Sequence, residues 1–365
     1  MEAAGGCRSD AASNATRLTY IDGLRAIAVL AIVVWHGAQG ASHPAAPPAF
    51  WLWGNRGVDL FFVISGFCLS YPFLKAYRRT NTLRIDYADF LVRRISRIAP
   101  PYYAAVALFA VLATTSFGLP TTWFAQARAG WQEIVLDLFF LTSRAPLHNA
   151  SFWTLGVEMR WYLLCPLLIA LFVRSRTAFT IVLLALWTSY TLTPWSISDL
   201  GMLPCFMLGI VAAHVALGPP RYRRITFVVA SGTVGIALYQ SLNGEIDHGN
   251  PLWHLACFLI VVCARDGALR GILSWPPLVA AGRASFAIYL VHEPFLIWFG
   301  FHGFHWVVAS AGSIVAGSIF WYLVERNVVR TRVRMRIEAV LRKAVRRFVV
   351  PPIVVDTSLI TAPAP

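Results

Sequence analysis

The sequence predicts an all-α, polytopic membrane protein of about ten transmembrane helices, with both termini in the cytoplasm. Three observations predict it. Of 365 residues, 58% are hydrophobic and 13% charged, against about 25% charged in soluble domains, and the mean hydropathy is +0.62. Stretches of 16 to 20 residues are almost without charge, the length a helix needs to cross a bilayer. The segments between them alternate sharply in basic content. Disorder, collagen and coiled coil are excluded, because none tolerates this apolar content, and a soluble enzyme is nearly excluded.

Apolar runs place the spans near 20–38, 56–73, 100–118, 152–173, 178–194, 200–217, 225–242, 252–264, 285–301 and 306–324. A further apolar piece, 134–143, is too short to cross a core of about 30 Å as a helix and reads as interfacial or re-entrant. The formal charge of +14 comes from 31 basic residues, 29 of them Arg, and 17 acidic ones. With these spans, 26 basic residues fall on one side, among them seven in 74–99 and nine in 326–347, and three (Arg56, Arg128, Arg144) on the other. That asymmetry puts both termini in the cytoplasm, and the Arg excess belongs beside anionic lipid of the bilayer rather than on nucleic acid.

No cleavable signal peptide is expected, since residues 1–17 are polar and the first apolar run continues as a span. The chain divides into a cytoplasmic N-terminal segment (1–19), one membrane domain (20–325) and a basic cytoplasmic tail (326–365) whose end is expected to be disordered. Six Cys (Cys7, Cys68, Cys165, Cys205, Cys257, Cys263) show no CxxC spacing, and five lie in or beside apolar stretches. They read as small core residues rather than as disulfides or a metal site.

Ionisable residues within spans are costly and are functional candidates by default. Span one holds Asp22, Arg25 and His36. Arg25 and His36, 11 residues apart, share a helix face about 16 Å apart along the axis, Arg25 inward and His36 outward. Glu158 in span four and Asp59 in span two reach the outer half at similar depth, so one His and two carboxylates converge there. A carboxylate that orients an imidazole is what a general base needs; the competing reading is ion pairing, such as Asp59 with Arg56. Arg94 and Arg97, at i and i+3, lie beside Pro100 and Pro101, which are expected to break the helix before span three. Their guanidinium groups suit bidentate phosphate capture or plain positive-inside anchoring. Span nine holds His292, Glu293 and Pro294 in sequence, which points to a polar cavity near mid-membrane. Glu325 reads most simply as an interfacial charge paired with Arg326 or a loop Arg, and no His grouping has metal-ligand spacing, so no metal is expected.

In order, the segments YIDGLRAIAVLAIVVWH, GVDLFFVISGF, RRISRIAP, NASFWTLGVEMRWYLLCPLL, SFAIYLVHEP and YLVERNVVR resemble the acyltransferase-3 family of integral membrane acyltransferases over about residues 18–330. The resemblance implies a multi-pass enzyme of the bacterial inner membrane that moves an acyl group, most often acetyl from acetyl-CoA, onto hydroxyls. Its acceptors include sugars of surface polysaccharides, lipopolysaccharide, Nod factors and macrolides. It implies His36 as catalytic base, and Arg25, Arg94 and Arg97 in acyl-CoA recognition. Glu158 falls at the acidic position of the family's WSLxxE pattern, with Trp153 and Leu155, and Thr154 stands where Ser is usual. Many larger members append a soluble SGNH-type domain; this sequence ends without one and reads as a stand-alone form, in which the acceptor reaches the membrane domain directly or a separate transferase partner completes the step.

The function expected is therefore an acyl-CoA-dependent O-acyltransferase acting on a carbohydrate or glycosylated acceptor. His36 is its base, Glu158 or Asp59 orients it, and Trp153 and His292 lie on the substrate side. Direct transfer and a covalent acyl-His36 intermediate both fit. The rival is a transporter or flippase with an intramembrane His36, Glu158 and His292 proton relay.

Overall fold

The structure, a computed structural model, describes residues 18–40, 54–114, 131–141, 151–192, 199–219, 223–242, 250–327, 332–345 and 351–356. Helix α1 (Thr19–Gly40) is followed by α2 (Arg56–Thr80), strand β1 (Thr82–Ile85), α3 (Tyr87–Thr114) and the short α4 (Trp131–Leu138). Then come α5 (Phe152–Arg174), α6 (Arg176–Leu192), α7 (Asp199–Leu217), α8 (Arg223–Leu242), α9 (Pro251–Cys263) and α10 (Gly267–Leu273). The chain continues through α11 (Pro276–Arg283), α12 (Ser285–Phe301), α13 (Trp306–Phe320), a π-helical turn (Trp321–Glu325), α14 (Arg332–Val345) and β2 (Ile353–Asp356).

Among the described residues five helices, α1, α2, α5, α7 and α13 with its π turn, are long and apolar enough to cross a membrane. Two pairs meet at sharp bends, α9 with α10 at 91° and α11 with α12 at 70°, and make seven if each pair is one span. Every span expected from the sequence coincides with a helix, but α3, α6 and α8 fall short of the same test. The structure thus supports a polytopic α-helical membrane protein. It also adds a two-stranded antiparallel sheet to the all-α expectation: Thr82 pairs with Asp356 and Ile85 with Ile353. Asn81, in the left-handed conformation (φ 55°), ends α2 by donating its N–H to the Tyr77 carbonyl and turns the chain into β1. The tail was expected to end in disorder; within it 353–356 form a strand, and 357–365 lie outside the described residues.

Helix α3 corrects a second expectation. Pro100 and Pro101 lie inside one continuous helix rather than marking its start. Each removes a backbone hydrogen bond, but packing on both flanks holds the segment: the Tyr102 ring stacks 4.5 Å from Phe140, and its hydroxyl donates to the Asp137 carbonyl at 3.1 Å. Arg94 and Arg97 are therefore residues of the same helix as span three, not of a loop. On the flank of α3, Ser96 Oγ donates to Glu338 of α14 at 3.2 Å, and Arg342 pairs with Asp89.

Without a hydrophobic driving force between apolar helices in lipid, close approach comes from small residues. Helices α2 and α7 cross at Gly66 and Gly209, where a Cβ on Gly66 would stand 2.1 Å from the Phe206 carbonyl oxygen. The end of α11 is pressed on α1 in the same way, since a Cβ on Gly282 would meet the Asp22 carbonyl oxygen at 1.8 Å. Gly282→Val is expected to lower stability by about 1–3 kcal/mol, the usual cost of overpacking. Thermal unfolding of the purified protein measures it, and an unchanged midpoint would show that α11 is not held there. The five described cysteines are free thiols, three of them buried (Cys165, Cys205, Cys257), as small core residues would be; Cys7 lies outside the described residues.

Candidate active site

The N-terminal half of α1, with α2, α3, α5, the π-helical turn and the bend between α11 and α12, lines a part-open cavity of about 1020 Å³, solvent at its mouth included. Its charged lining is Arg25, Arg94, Arg97, Arg283, Glu158 and Glu325. Arg25 lies 3.7 Å from Asp22 and donates towards Cys68 Sγ at 3.5 Å. The Nε atoms of Arg94 and Arg283 are buried and make no hydrogen bond. All three arginines expected to recognise the donor therefore share one cavity.

Glu158 belongs to this cavity as well. Ser65 Oγ donates to its carboxylate at 2.5 Å, and the Tyr162 hydroxyl bonds to it. Glu325 is 6% exposed, receives the Ala287 N–H and faces Arg97. It is thus a buried wall of the cavity, not the interfacial charge expected from the sequence. The π-helical turn aims it inward: the wider turn shifts the register of the last residues of the span, and such turns recur at functional sites.

Apolar and aromatic residues complete the lining, among them Phe61 and Tyr289, whose rings meet edge-on at 6.0 Å. The Tyr289 hydroxyl is tied to Thr154 Oγ1 at 2.7 Å and donates to the Ser151 carbonyl at 3.1 Å. Tyr289 also borders a pair of histidines, its ring 5.8 Å from that of His292. His36 Nδ1 lies 2.8 Å from His292 Nε2, with the rings nearly parallel at 13° and 5.0 Å apart. His292 Nδ1 lies 2.8 Å from the Tyr289 carbonyl oxygen. The tautomers follow from these partners. A carbonyl only accepts, so His292 carries its proton on Nδ1, and its Nε2 is an acceptor. His36 must then carry its proton on Nδ1, which leaves His36 Nε2 as a lone pair. Among the described residues that nitrogen has no hydrogen-bond partner, and 21% of the His36 side chain is accessible. Glu293 Oε1 lies 3.9 Å from His36 Nδ1 and accepts from Ser151 Oγ at 2.6 Å.

The structure brings His36 and His292 together, and not His36 with Glu158 or Asp59. Asp59, fully buried, pairs with Arg56 at 3.3 Å, and Arg56 stacks 5.2 Å over Trp253. Asp59 is thus a structural ion pair apart from the cavity. Equal depth in the membrane had suggested convergence, but depth leaves lateral position open. Trp153 packs half-buried against the core, while its neighbours Thr154 and Leu155 line the cavity. Sequence reasoning gave no role to Glu293, Tyr289, Ser65 or Arg283. The polar run His292-Glu293-Pro294 was the signal for the first; nothing in the sequence separated Arg283 from the other cytoplasmic arginines.

His36, His292 and Glu293 offer three donor atoms within 4.8 Å of one another. Tetrahedral zinc with bonds of about 2.0–2.1 Å sets its ligand atoms about 3.3 Å apart. The 2.8 Å between the two ring nitrogens is a hydrogen-bond distance instead, so the geometry is that of a hydrogen-bonded relay.

The chain is 25% identical over 360 residues to a Bacillus subtilis (strain 168) protein provisionally named peptidoglycan O-acetyltransferase YrhL, over 85% of this chain and 52% of that protein. It is 26% identical over 324 residues to the O-acetyltransferase OatA of Staphylococcus aureus (strain NCTC 8325 / PS 47), over 77% of this chain and 51% of OatA. The chain spans about half the length of the curated relatives it matches. No solved structure matches it. The acyltransferase-3 family model, described as an acyltransferase domain, matches residues 18–325. That stretch contains every residue of the arginine cavity and of the histidine pair, and by it the chain belongs to the acyltransferase-3 family.

Proposed function

We propose that the protein is a membrane O-acyltransferase that moves an acetyl group from acetyl-CoA to a hydroxyl of a carbohydrate acceptor, with both termini and the donor entrance on the cytoplasmic side of about ten spans. The observation that carries this reading is the hydrogen-bond chain His36–His292–Tyr289, which leaves His36 Nε2 unprotonated and joins the histidine pair to a lining residue of a cavity rich in arginine. The relatives' names, which speak of O-acetylation and in one case of peptidoglycan, make a glycan hydroxyl the first acceptor to try. A bacterial inner membrane fits such an acceptor.

In this reading Arg25, Arg94 and Arg97 hold the phosphates of the donor, because guanidinium groups bind phosphate through paired N–H donors. The pantetheine arm runs along the apolar lining towards Tyr289. His36 Nε2 takes the proton of the acceptor hydroxyl as its oxygen attacks the thioester carbonyl. The C–O bond forms, the C–S bond breaks, and the thiolate leaves with the proton that His36 received. His292 Nε2 accepts from His36 Nδ1–H throughout, so the imidazolium that forms keeps its orientation, and Glu293 adds a negative charge beside it. Glu158 serves the donor cavity rather than the base. No metal is assigned a role.

A transporter with a His/Glu proton relay would have no reason to bind acetyl-CoA, so binding to the purified protein is the first test. Saturable binding is expected; none would return the histidine pair to the transporter reading. Arg94→Ala is expected to raise KM for acetyl-CoA about ten-fold or more, with kcat little changed, since a hydrogen bond to a charged group contributes about 1.5–3 kcal/mol. An unchanged KM would reduce Arg94 to an anchor of membrane orientation.

A further inference from the structure

A closed loop of polar groups begins and ends on one nitrogen of His36. His36 Nδ1–H donates to His292 Nε2 at 2.8 Å, and His292 Nδ1–H to the Tyr289 carbonyl at 2.8 Å. The Tyr289 hydroxyl donates to the Ser151 carbonyl at 3.1 Å. Ser151 Oγ donates to Glu293 Oε1 at 2.6 Å, and that oxygen lies 3.9 Å from His36 Nδ1. His36 comes from α1, and Tyr289, His292 and Glu293 come from α12. Ser151, the residue before α5, is the member from a third element: its carbonyl holds the Tyr289 side chain, and its hydroxyl holds Glu293.

A serine at the start of a helix ordinarily turns its hydroxyl onto the first N–H groups of that helix. Ser151 makes no such cap bond; its hydroxyl is spent on Glu293 instead. Both residues are buried, 2% and 7% exposed. Their 2.6 Å separation is the length of a hydroxyl on an ionised carboxylate, about 2.5–2.7 Å, and in that state Glu293 only accepts. A buried carboxylate is best compensated by a nearby positive charge. Across the 3.9 Å to His36 that charge appears only when the imidazole takes a proton, so the attraction grows as the acceptor hydroxyl is deprotonated. Resting on the O-acyltransferase reading above, we propose that Ser151 is a positioning residue of the transfer: its hydroxyl aims the Glu293 carboxylate at His36 Nδ1, where it stabilises the imidazolium. Ser151 acts through Glu293 and touches neither donor nor acceptor.

The test measures acetyl transfer by the full chain in lipid nanodiscs, with acetyl-CoA as donor and native envelope glycan as acceptor. Ser151→Ala is expected to lower kcat about ten- to hundred-fold, the size of a hydrogen bond to a charged group, with KM for acetyl-CoA little changed. Ser151→Thr keeps the hydroxyl and is expected to recover most of the loss. The deciding comparison repeats Ser151→Ala in the Glu293→Gln background. There the added loss is expected to be under about two-fold, because an effect that runs through the carboxylate vanishes with it. A role in packing alone predicts the same fold-loss in both backgrounds, and that result overturns the assignment. An undiminished kcat in Ser151→Ala overturns it as well, and so does a loss that falls on KM for acetyl-CoA. Should Ser151→Ala fail to fold, Ser151→Cys takes its place, its thiol being a weaker donor, with a smaller loss that is again confined to the background carrying Glu293. A wild type that binds acetyl-CoA but acetylates no glycan overturns the O-acyltransferase reading itself, a separate and visible outcome.

Discussion

Replacing His36 by alanine is expected to lower acetyl transfer by about 10²–10⁴-fold, the usual contribution of a general base, while acetyl-CoA still binds with wild-type affinity. The split follows from the geometry. His36 lies outside the lining of the cavity that holds the arginines, so its loss removes the proton acceptor without touching the groups assigned to the donor. Binding is read by titration of the purified protein and transfer by turnover. An equal loss of binding and turnover would show that His36 shapes the donor cavity. Undiminished turnover would remove it from the chemistry.

The second large effect is expected at His292, which acts through His36. Its Nε2 is the acceptor that holds the His36 proton on Nδ1. With His292→Ala the imidazole of His36 samples both tautomers and loses its orientation, and kcat is expected to fall about 10²-fold, less than the 10⁴-fold cost of a fully wrong tautomer. His292→Gln keeps a carbonyl oxygen that can accept from Nδ1–H and is expected to recover most of the loss. A role in packing alone predicts something different: lower yields of both variants, and no preference for Gln over Ala in kcat. Equal kcat values for Ala and Gln would therefore contradict the positioning role.

Much of this site was legible in the sequence. The charge-poor runs placed the helices, because a bilayer imposes length and composition directly. The 11-residue separation of Arg25 and His36 placed them on one face of α1, and the i, i+3 spacing of Arg94 and Arg97 held in the helix that carries them. What the sequence could not supply was lateral position. His36 and His292 lie 256 residues apart in sequence, and no periodicity connects two helices that touch only through tertiary packing. The same gap made Asp59 and Glu158 look like partners of His36, when one closes a buried ion pair with Arg56 and the other joins Ser65 and Tyr162. Two local rules were overridden by context. Tandem prolines read as a helix boundary, yet the packing of Tyr102 against Phe140 carries α3 through them. A span-closing glutamate read as interfacial, yet the π-helical turn rotates Glu325 into the cavity. Arg283 was hidden among 26 basic residues on the same side, and only its place in the cavity lining, shared with Arg94 and Arg97, sets it apart from the rest.

The most direct test follows labelled acetyl. Membranes containing the wild-type protein or His36→Ala are given acetyl-labelled acetyl-CoA and a glycan acceptor, and base-labile label in the glycan is counted. The account predicts ester-bound label with the wild type and its loss with His36→Ala, although both proteins bind acetyl-CoA. Label transferred equally by both proteins would contradict it, and so would acetyl-CoA binding that never leads to an ester on any glycan of the native envelope.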